Sequence, residues 1–419
     1  MSFADLPIGS LLVLPLTLMA FIVLLTIIVF IHEYGHFSVA RALGVRVDVF
    51  SIGFGKTLLK WVDRKGTEWR IALLPLGGYV KFFGDLNAAS QASPEAQESG
   101  PVTTQFPKPG EADDIGGGLT AEEKKVCFHF KPVWARAAIV AAGPFANFIL
   151  AIVIFAGLFM TFGRGTLEPV VGGVQEGSAA AEAGLMPGDR MVSANGRTLG
   201  SFSDLADSVL SSGGDTIQLQ IERDGAPLTL QITPRRVEAE DRYGNTIEKW
   251  LLGVSGDSEA YSFQRFGFFG ALKEGAGEVV RILSLTVKFI GQIILGKEDT
   301  SQLGGPIKMA QYAGQSAMSG FDESGYQEPP SLWTMLKVSL VDFISLAAVV
   351  SVSIGFLNLL PVPVLDGGHL MYYAYEAIAG KPLGARAQAI GFRVGLVLLA
   401  SLMIFVTWND ITNLIESLS

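Results

Sequence analysis

The chain has 419 residues, 49% of them hydrophobic and 17% charged, with a mean hydropathy of +0.40. These values fit an integral membrane protein with a sizeable polar portion and exclude a purely soluble one. A net charge of −9 offers no basic field for phosphates, which excludes a nucleic-acid partner, and a single cysteine, Cys127, excludes an intramolecular disulfide.

The first apolar run begins at Leu6, and Asp5 is the only charged residue before His32. It lacks a basic leading segment and a clear small-residue cleavage site, so it reads as a retained span, not a signal peptide. Segments 8–40, 137–163, 343–365 and 387–409 are each long enough to cross about 30 Å of hydrocarbon. Basic residues follow the first span (Arg41, Arg46, Lys56, Lys60), precede the second (Lys124, Lys125, Lys131, Arg136) and separate the third from the fourth (Lys381, Arg386). The positive-inside rule therefore places 42–133 and 366–386 in the cytoplasm and both termini outside.

His32-Glu33-Tyr34-Gly35-His36 closes the first span. The pattern H-E-x-x-H sets two imidazoles at i and i+4 on one helix face, where they can share a metal ion, and Glu33 is positioned to take a proton from water activated there. Two chance histidines at a helix end are the alternative. Charged groups at membrane depth cost about 2.5–3.5 kcal/mol each on insertion scales, which weighs against it.

Residues 43–84 alternate in short runs and read as strands forming a hairpin region, with Pro75-Leu76-Gly77-Gly78 as a pause. Residues 85–133 are expected to be a mobile cytoplasmic loop, since 84–118 is rich in Ala, Ser, Gln, Pro, Gly and acids. Cys127 and His129 within it are too sparse for a metal site. The second span, 134–163, leads into a soluble module over 165–237. Its order of strand, short helix, strand, Asn195-Gly196 turn, helix and paired strands resembles a PDZ domain, particularly in Ala183-Gly184-Leu185-x-Pro187-Gly188-Asp189. Residues 238–337 are expected to be an interfacial amphipathic region. The apolar stretch 266–295 is interrupted by Lys273, Glu274, Glu278, Arg281 and Lys288, and a fifth crossing there would move Asp366 to the opposite face from His32.

A catalytic zinc site takes three protein ligands, and only two more histidines exist, His129 and His369. Parity suggests a carboxylate. The first and third spans both end on the cytoplasmic side, and about twenty residues at 1.5 Å each put His32 near that boundary. The third, assigned to 338–369, ends with Pro361 and Pro363 ahead of Asp366, and 370–419 supplies the fourth. A carboxylate at that depth needs a cation, and zinc is the obvious one.

His32-Glu33-x-x-His36, Gly77-Gly78-Tyr79-Val80-Lys81, Gly143-Pro144-x-x-Asn147, Gly304-Gly305-Pro306-Ile307 and Asn358-x-x-Pro361-x-Pro363-x-Leu365-Asp366-Gly367-Gly368 together resemble the site-2 protease family, in its regulator-of-sigma-E branch. The likeness covers nearly the whole chain except 84–118. It implies a polytopic α-helical membrane protein with four transmembrane helices, a cytoplasmic-side re-entrant β-hairpin and an inserted α+β PDZ-like domain. It also implies Zn2+ held by His32, His36 and Asp366, Glu33 as general base, and Asn358 steadying substrate or oxyanion. The implied activity is cleavage of a single-span membrane protein, such as a membrane-bound anti-sigma factor, in a bacterial inner membrane. His369 is then a neighbour of the site and not a fourth ligand. Ser353 stands where members often carry a further asparagine, and one PDZ-like module is present where the enterobacterial members have two. The competing expectations are a membrane-anchored PDZ adaptor with a structural zinc, and an interfacial metalloprotease acting on soluble peptides.

Overall fold

The computed structural model describes residues 7–83, 119–240, 246–257, 260–298, 300, 303–321 and 330–418. They fall into two compact units, one within Met1–Ala151 and Gly305–Ser419, the other within Ile152–Gly304.

The first unit opens with helix α1 (Pro7–Ala42), which is apolar all round, as a helix facing both lipid and protein must be. Its Ala20, Leu24 and Ile28 recur every fourth residue and are buried against residues of two later helices, while Val23 and Ile27 stay exposed. Strands β1 (Val47–Val62) and β2 (Glu68–Phe82) follow as one folded antiparallel ribbon. β1 changes partners around Gly53 and Gly55, both at positive φ, where glycine carries no steric cost. The ribbon thus has four rungs. Residues 68–71 pair on both sides, with the two halves of β1, whereas 78–82 pair only with 47–52 and form an edge.

Helix α2 (Ala121–Val126) starts at a Thr120–Glu123 capping box, and a 3₁₀ turn (Phe128–Phe130) follows. The loop expected over 85–133 therefore ends by Thr120: the cap satisfies the helix start, and Cys127 and Phe128 are buried in the core. The rest of that expectation, 84–118, lies outside the described residues. Helix α3 (Val133–Thr161) runs from this unit into the next.

The remaining elements of the first unit come late in the chain: α7 (Pro306–Met318), α8 (Leu332–Leu359), α9 (Asp366–Ala379) and α10 (Ala385–Leu418). α7 belongs to the bundle, not to an interfacial region reaching 337: Ala313 is buried among α1 and α8 residues. Its start is held by Asp410 of α10, whose carboxylate accepts from the N–H groups of Gly305, Ile307 and Lys308 at 2.8–3.1 Å. The third span stops at Leu359 and does not extend to 365 or 369. Leu360 precedes Pro361 and is forced to an extended conformation (φ −61°, ψ 144°), which ends the helix. The stretch 370–419, expected to supply the fourth span over 387–409, holds two helices. α9 ends at Gly380 in the left-handed region, Pro382 follows, and α10 starts afresh. Among the described residues four helices, Leu14–Ala42, Val133–Thr161, Leu332–Leu359 and Arg386–Asn413, are long and apolar enough to cross a membrane.

In the second unit, β3 (Arg164–Leu167) pairs with β12 (Tyr261–Gln264) and brackets the insertion. Between them lie β4 (Val171–Val174), α4 (Ala179–Glu182), β5 (Arg190–Ala194), β6 (Arg197–Thr198), α5 (Phe202–Ser212), β7 (Ile217–Arg223), β8 (Ala226–Ile232), β9 (Arg235–Glu240), β10 (Thr246–Leu251) and β11 (Val254–Gly256). A sheet in the order β6-β5-β7-β8 covers a core of Val171, Met191, Leu205, Ile217, Leu219 and Ile221, the alternate residues of β7 facing inward. The boundary expected at 237 is too short. β11 returns to pair with β4, so the module reaches at least Gly256, and four strands occupy the start of the stretch expected to be amphipathic helix. Helix α6 (Phe268–Ile294) is one amphipathic helix, fastened to α5 by Arg281–Asp207 and by Gln292 Nε2 to the Leu210 carbonyl.

Candidate metal centre

The last turns of α1 bring His32 and His36 to one buried face, and α9 opens with Asp366 beside them. His32 Nε2 and His36 Nε2 are 3.2 Å apart, and Asp366 Oδ2 lies 3.2 Å from the first and 3.5 Å from the second. Ligands about 2.0–2.1 Å from a tetrahedral zinc are spaced about 3.3 Å from one another, so the triangle has the right size. Its chemistry fits as well. His36 Nδ1 is 2.9 Å from the Ile139 carbonyl, which only accepts, so Nδ1 carries the hydrogen and Nε2 of the neutral ring presents a lone pair. Asp366 Oδ2 is buried without a hydrogen-bond partner. A proton could join one pair of these atoms; a divalent cation serves all three.

The approach depends on missing side chains. A Cβ on Gly143 of α3 would come within 2.3 Å of His36 Nε2 and 2.9 Å of His32 Cε1. A Cβ on Gly367 or Gly368 would strike the carbonyls of Leu359 and Val362 respectively at 2.3 Å, so the turn that delivers Asp366 closes only on glycine. One α3 residue approaches as a polar neighbour. Asn147 is wholly buried, with Nδ2 3.5 Å from His32 Nδ1, and its backbone carbonyl accepts from Ser351 Oγ of α8 at 2.9 Å.

A cavity of about 280 Å³ holds the three candidate ligands together with Glu33, Asn358 and His369. Its wall includes Gly78, Tyr79, Val80 and Phe82, the edge rung of the ribbon, and the Val80 N–H reaches the Glu33 carboxylate. Every residue expected to act is thus in one place. His369 lines the cavity but stands outside the three-ligand cluster, the only such cluster among the described residues, and His129 lies away from it. Ser353 is not in the wall; its hydroxyl bonds the Val349 carbonyl of its own helix. Gly143 and Asn147 entered the sequence reading only as part of a motif, with no role assigned, and the Ile139 carbonyl did not enter it at all. A carbonyl has no sequence signal, but a polar Asn147 inside an apolar span was a readable one.

The model of peptidase family M50 matches residues 20–402. The chain belongs to that family. Membership makes it a zinc-dependent metalloprotease of the site-2 type, integral to a membrane. Among its relatives, a protein of Agrobacterium fabrum and one of Rhizobium meliloti, both carrying provisional zinc-metalloprotease names, are 43% and 41% identical to it. Their alignments cover 94% of this chain and 95% and 96% of theirs. Metalloprotease MmpA of Caulobacter vibrioides is 39% identical over 94% of this chain and 95% of its own.

Proposed function

We propose that this M50 peptidase is an intramembrane endopeptidase of a bacterial cytoplasmic membrane. It cuts a single-span membrane protein, for example a membrane-bound anti-sigma factor, in regulated intramembrane proteolysis. The observation that carries this reading is the meeting of His32, His36, Asp366 and Glu33 in one cavity formed where two apolar helices end. His32, His36 and Asp366 would hold zinc, which supplies Lewis acidity, making water nucleophilic near neutral pH and polarising a carbonyl. Glu33 takes the proton from the attacking water and passes it to the leaving amine. Asn358, on the cavity wall, is placed to hydrogen-bond substrate or oxyanion.

A helical substrate must first give up its internal hydrogen bonds. Residues 78–82 offer a free strand edge that lines the cavity, so a locally unwound substrate can replace them there. Residues 68–74 are the poorer candidate, because 68–71 already pair on both sides. The module of the second unit is read as PDZ-like and placed, with both termini, on the periplasmic side; the ribbon is read as re-entrant from the cytoplasmic side. A structural zinc would take four protein ligands, against three among the described residues, which favours catalysis over a PDZ adaptor. The test is purified protein with a single-span substrate in proteoliposomes, with the cut mapped by mass spectrometry. Cleavage inside the span is expected. Cleavage confined to soluble peptides would move the reading to an interfacial protease, and no cleavage with full zinc would favour the adaptor.

A further inference from the structure

Helix α3 meets the histidine pair at three positions one turn apart. Ile139 gives a carbonyl to His36 Nδ1 at 2.9 Å, Gly143 leaves room for both rings, and the Asn147 carboxamide lies 3.5 Å from His32 Nδ1. Positions 139, 143 and 147 share a face, and their order matches His36 and His32 on an antiparallel neighbour. The two histidines are therefore served in parallel, one by a backbone group and one by a side chain. Asn147 is 0% exposed and its Oδ1 has no partner, which costs about 1–3 kcal/mol. Rotating the carboxamide by half a turn sets Oδ1 against His32 Nδ1. With hydrogen on Nδ1, that contact satisfies both atoms and leaves the Nε2 lone pair facing His36 and Asp366. The opposite arrangement, Nδ2 donating to Nδ1, puts the hydrogen on Nε2, where it opposes a metal.

We propose that Asn147 is a positioning residue for the metal: its Oδ1 accepts from His32 Nδ1–H, fixing the tautomer and ring orientation in which Nε2 is a ligand. The proposal rests on the zinc-site reading above. Ser351 Oγ holds the Asn147 backbone, which ties this ring to the helix leading toward Asp366. Outer partners of this kind are worth about 10–100-fold in metal affinity.

The test uses full-length protein in detergent, with zinc affinity read by competition with a chelating dye and the melting of the metal-free protein measured alongside. Asn147→Leu keeps the volume and removes the acceptor; zinc affinity is expected to fall about 10–100-fold with metal-free melting unchanged. Asn147→Asp keeps an acceptor and cannot donate, so affinity near wild type is expected. This variant decides the matter if the leucine form does not fold. Full affinity in a folded Asn147→Leu, or loss of zinc in Asn147→Asp, would overturn the proposal. Asp366→Ala is measured in parallel: loss of zinc there with Asn147→Leu unaffected sinks only the Asn147 role, whereas zinc retained by Asp366→Ala sinks the site itself.

Discussion

At the scale of single residues, the site divides into groups that bind and groups that make binding possible. Glu33 belongs to neither, and its role is separable. Glu33→Gln removes the proton carrier while His32, His36 and Asp366 remain, so cleavage should fall by about 10²–10⁴-fold with zinc stoichiometry unchanged; turnover near wild type would remove Glu33 from the mechanism. Gly143 tests the second group. Gly143→Ala places a methyl 2.3 Å from His36 Nε2, so zinc affinity should drop at least about tenfold, read by the same dye competition, and unchanged affinity would show that α3 can back away. The candidate ligands and Glu33, which the structure brings into one cavity, could be picked out because H-E-x-x-H is local and Asp366 could be reached by counting spans. The supporting shell was not, because it depends on which face of α3 meets α1, and an apolar helix does not announce its facing.

At the scale of elements, proline and cap signals were present but weighted too lightly. Pro361 and Pro363 marked the end of α8, yet apolar length carried the third span on to 365; the fourth, expected over 387–409, starts at Ala385, just behind Gly380 and Pro382. The ribbon was legible as strands but not as four rungs, since only the structure shows that 68–71 are interior and 78–82 an edge. Its far turn is tied to α1. Asp63 accepts from Arg41, Trp69 Nε1 and the N–H groups of Lys65 and Thr67, five residues' reach beyond His36 along α1 and the turn. Partial burial pushes the Asp63 carboxyl up, but hydrogen bonds from Trp69, the Lys65 N–H, Arg41 and the Thr67 N–H outweigh it and hold it down at about 2. A depressed folded value means that this anchor is at full strength above the ordinary carboxylate range, near 4, and weakens as pH falls toward about 2. Tryptophan fluorescence of the stacked Trp61–Trp69 pair should report a transition in that window in the wild type. Asp63→Asn should flatten it, and matching profiles would rule out the anchor.

At the scale of the whole molecule, the inserted module is the part least accounted for by the chemistry. On the proposed topology, which puts the module on the periplasmic side and the metal centre toward the cytoplasm, the module cannot supply a group to that centre, and its role in the proposed function is access. Site-2 proteases generally act after another protease has trimmed the substrate, and the module can enforce that order by excluding a bulky outer domain or by capturing the newly made C-terminus. The structure narrows capture beside 170–174: β4 pairs with β11 on one side, and on the other residues 170–171 are taken by 188–190, which leaves 172–174 as the stretch where a strand could add. The outer edge of β11 pairs with no strand among the described residues either, and is a second place where a carboxylate-bearing strand could add. The same pairing dictates how to remove the module. Cutting at 234 would remove β4 and leave β11 without its partner, with β9 and β10 paired only to each other, whereas β3 and β12 already form an antiparallel stem whose ends, Leu167 and Tyr261, face each other. Replacing residues 168–260 by Asn-Gly turns that stem into a closed hairpin, a connection suited to a two-residue turn. The variant should hold zinc, cut trimmed substrate at the wild-type rate and, unlike the wild type, also cut substrate that still carries its outer domain. Capture predicts in addition that amidating the trimmed C-terminus slows the intact enzyme and leaves the deletion variant unchanged; exclusion predicts no effect in either. A folded, zinc-loaded deletion variant that still rejects untrimmed substrate would show that the barrier lies in the bundle itself.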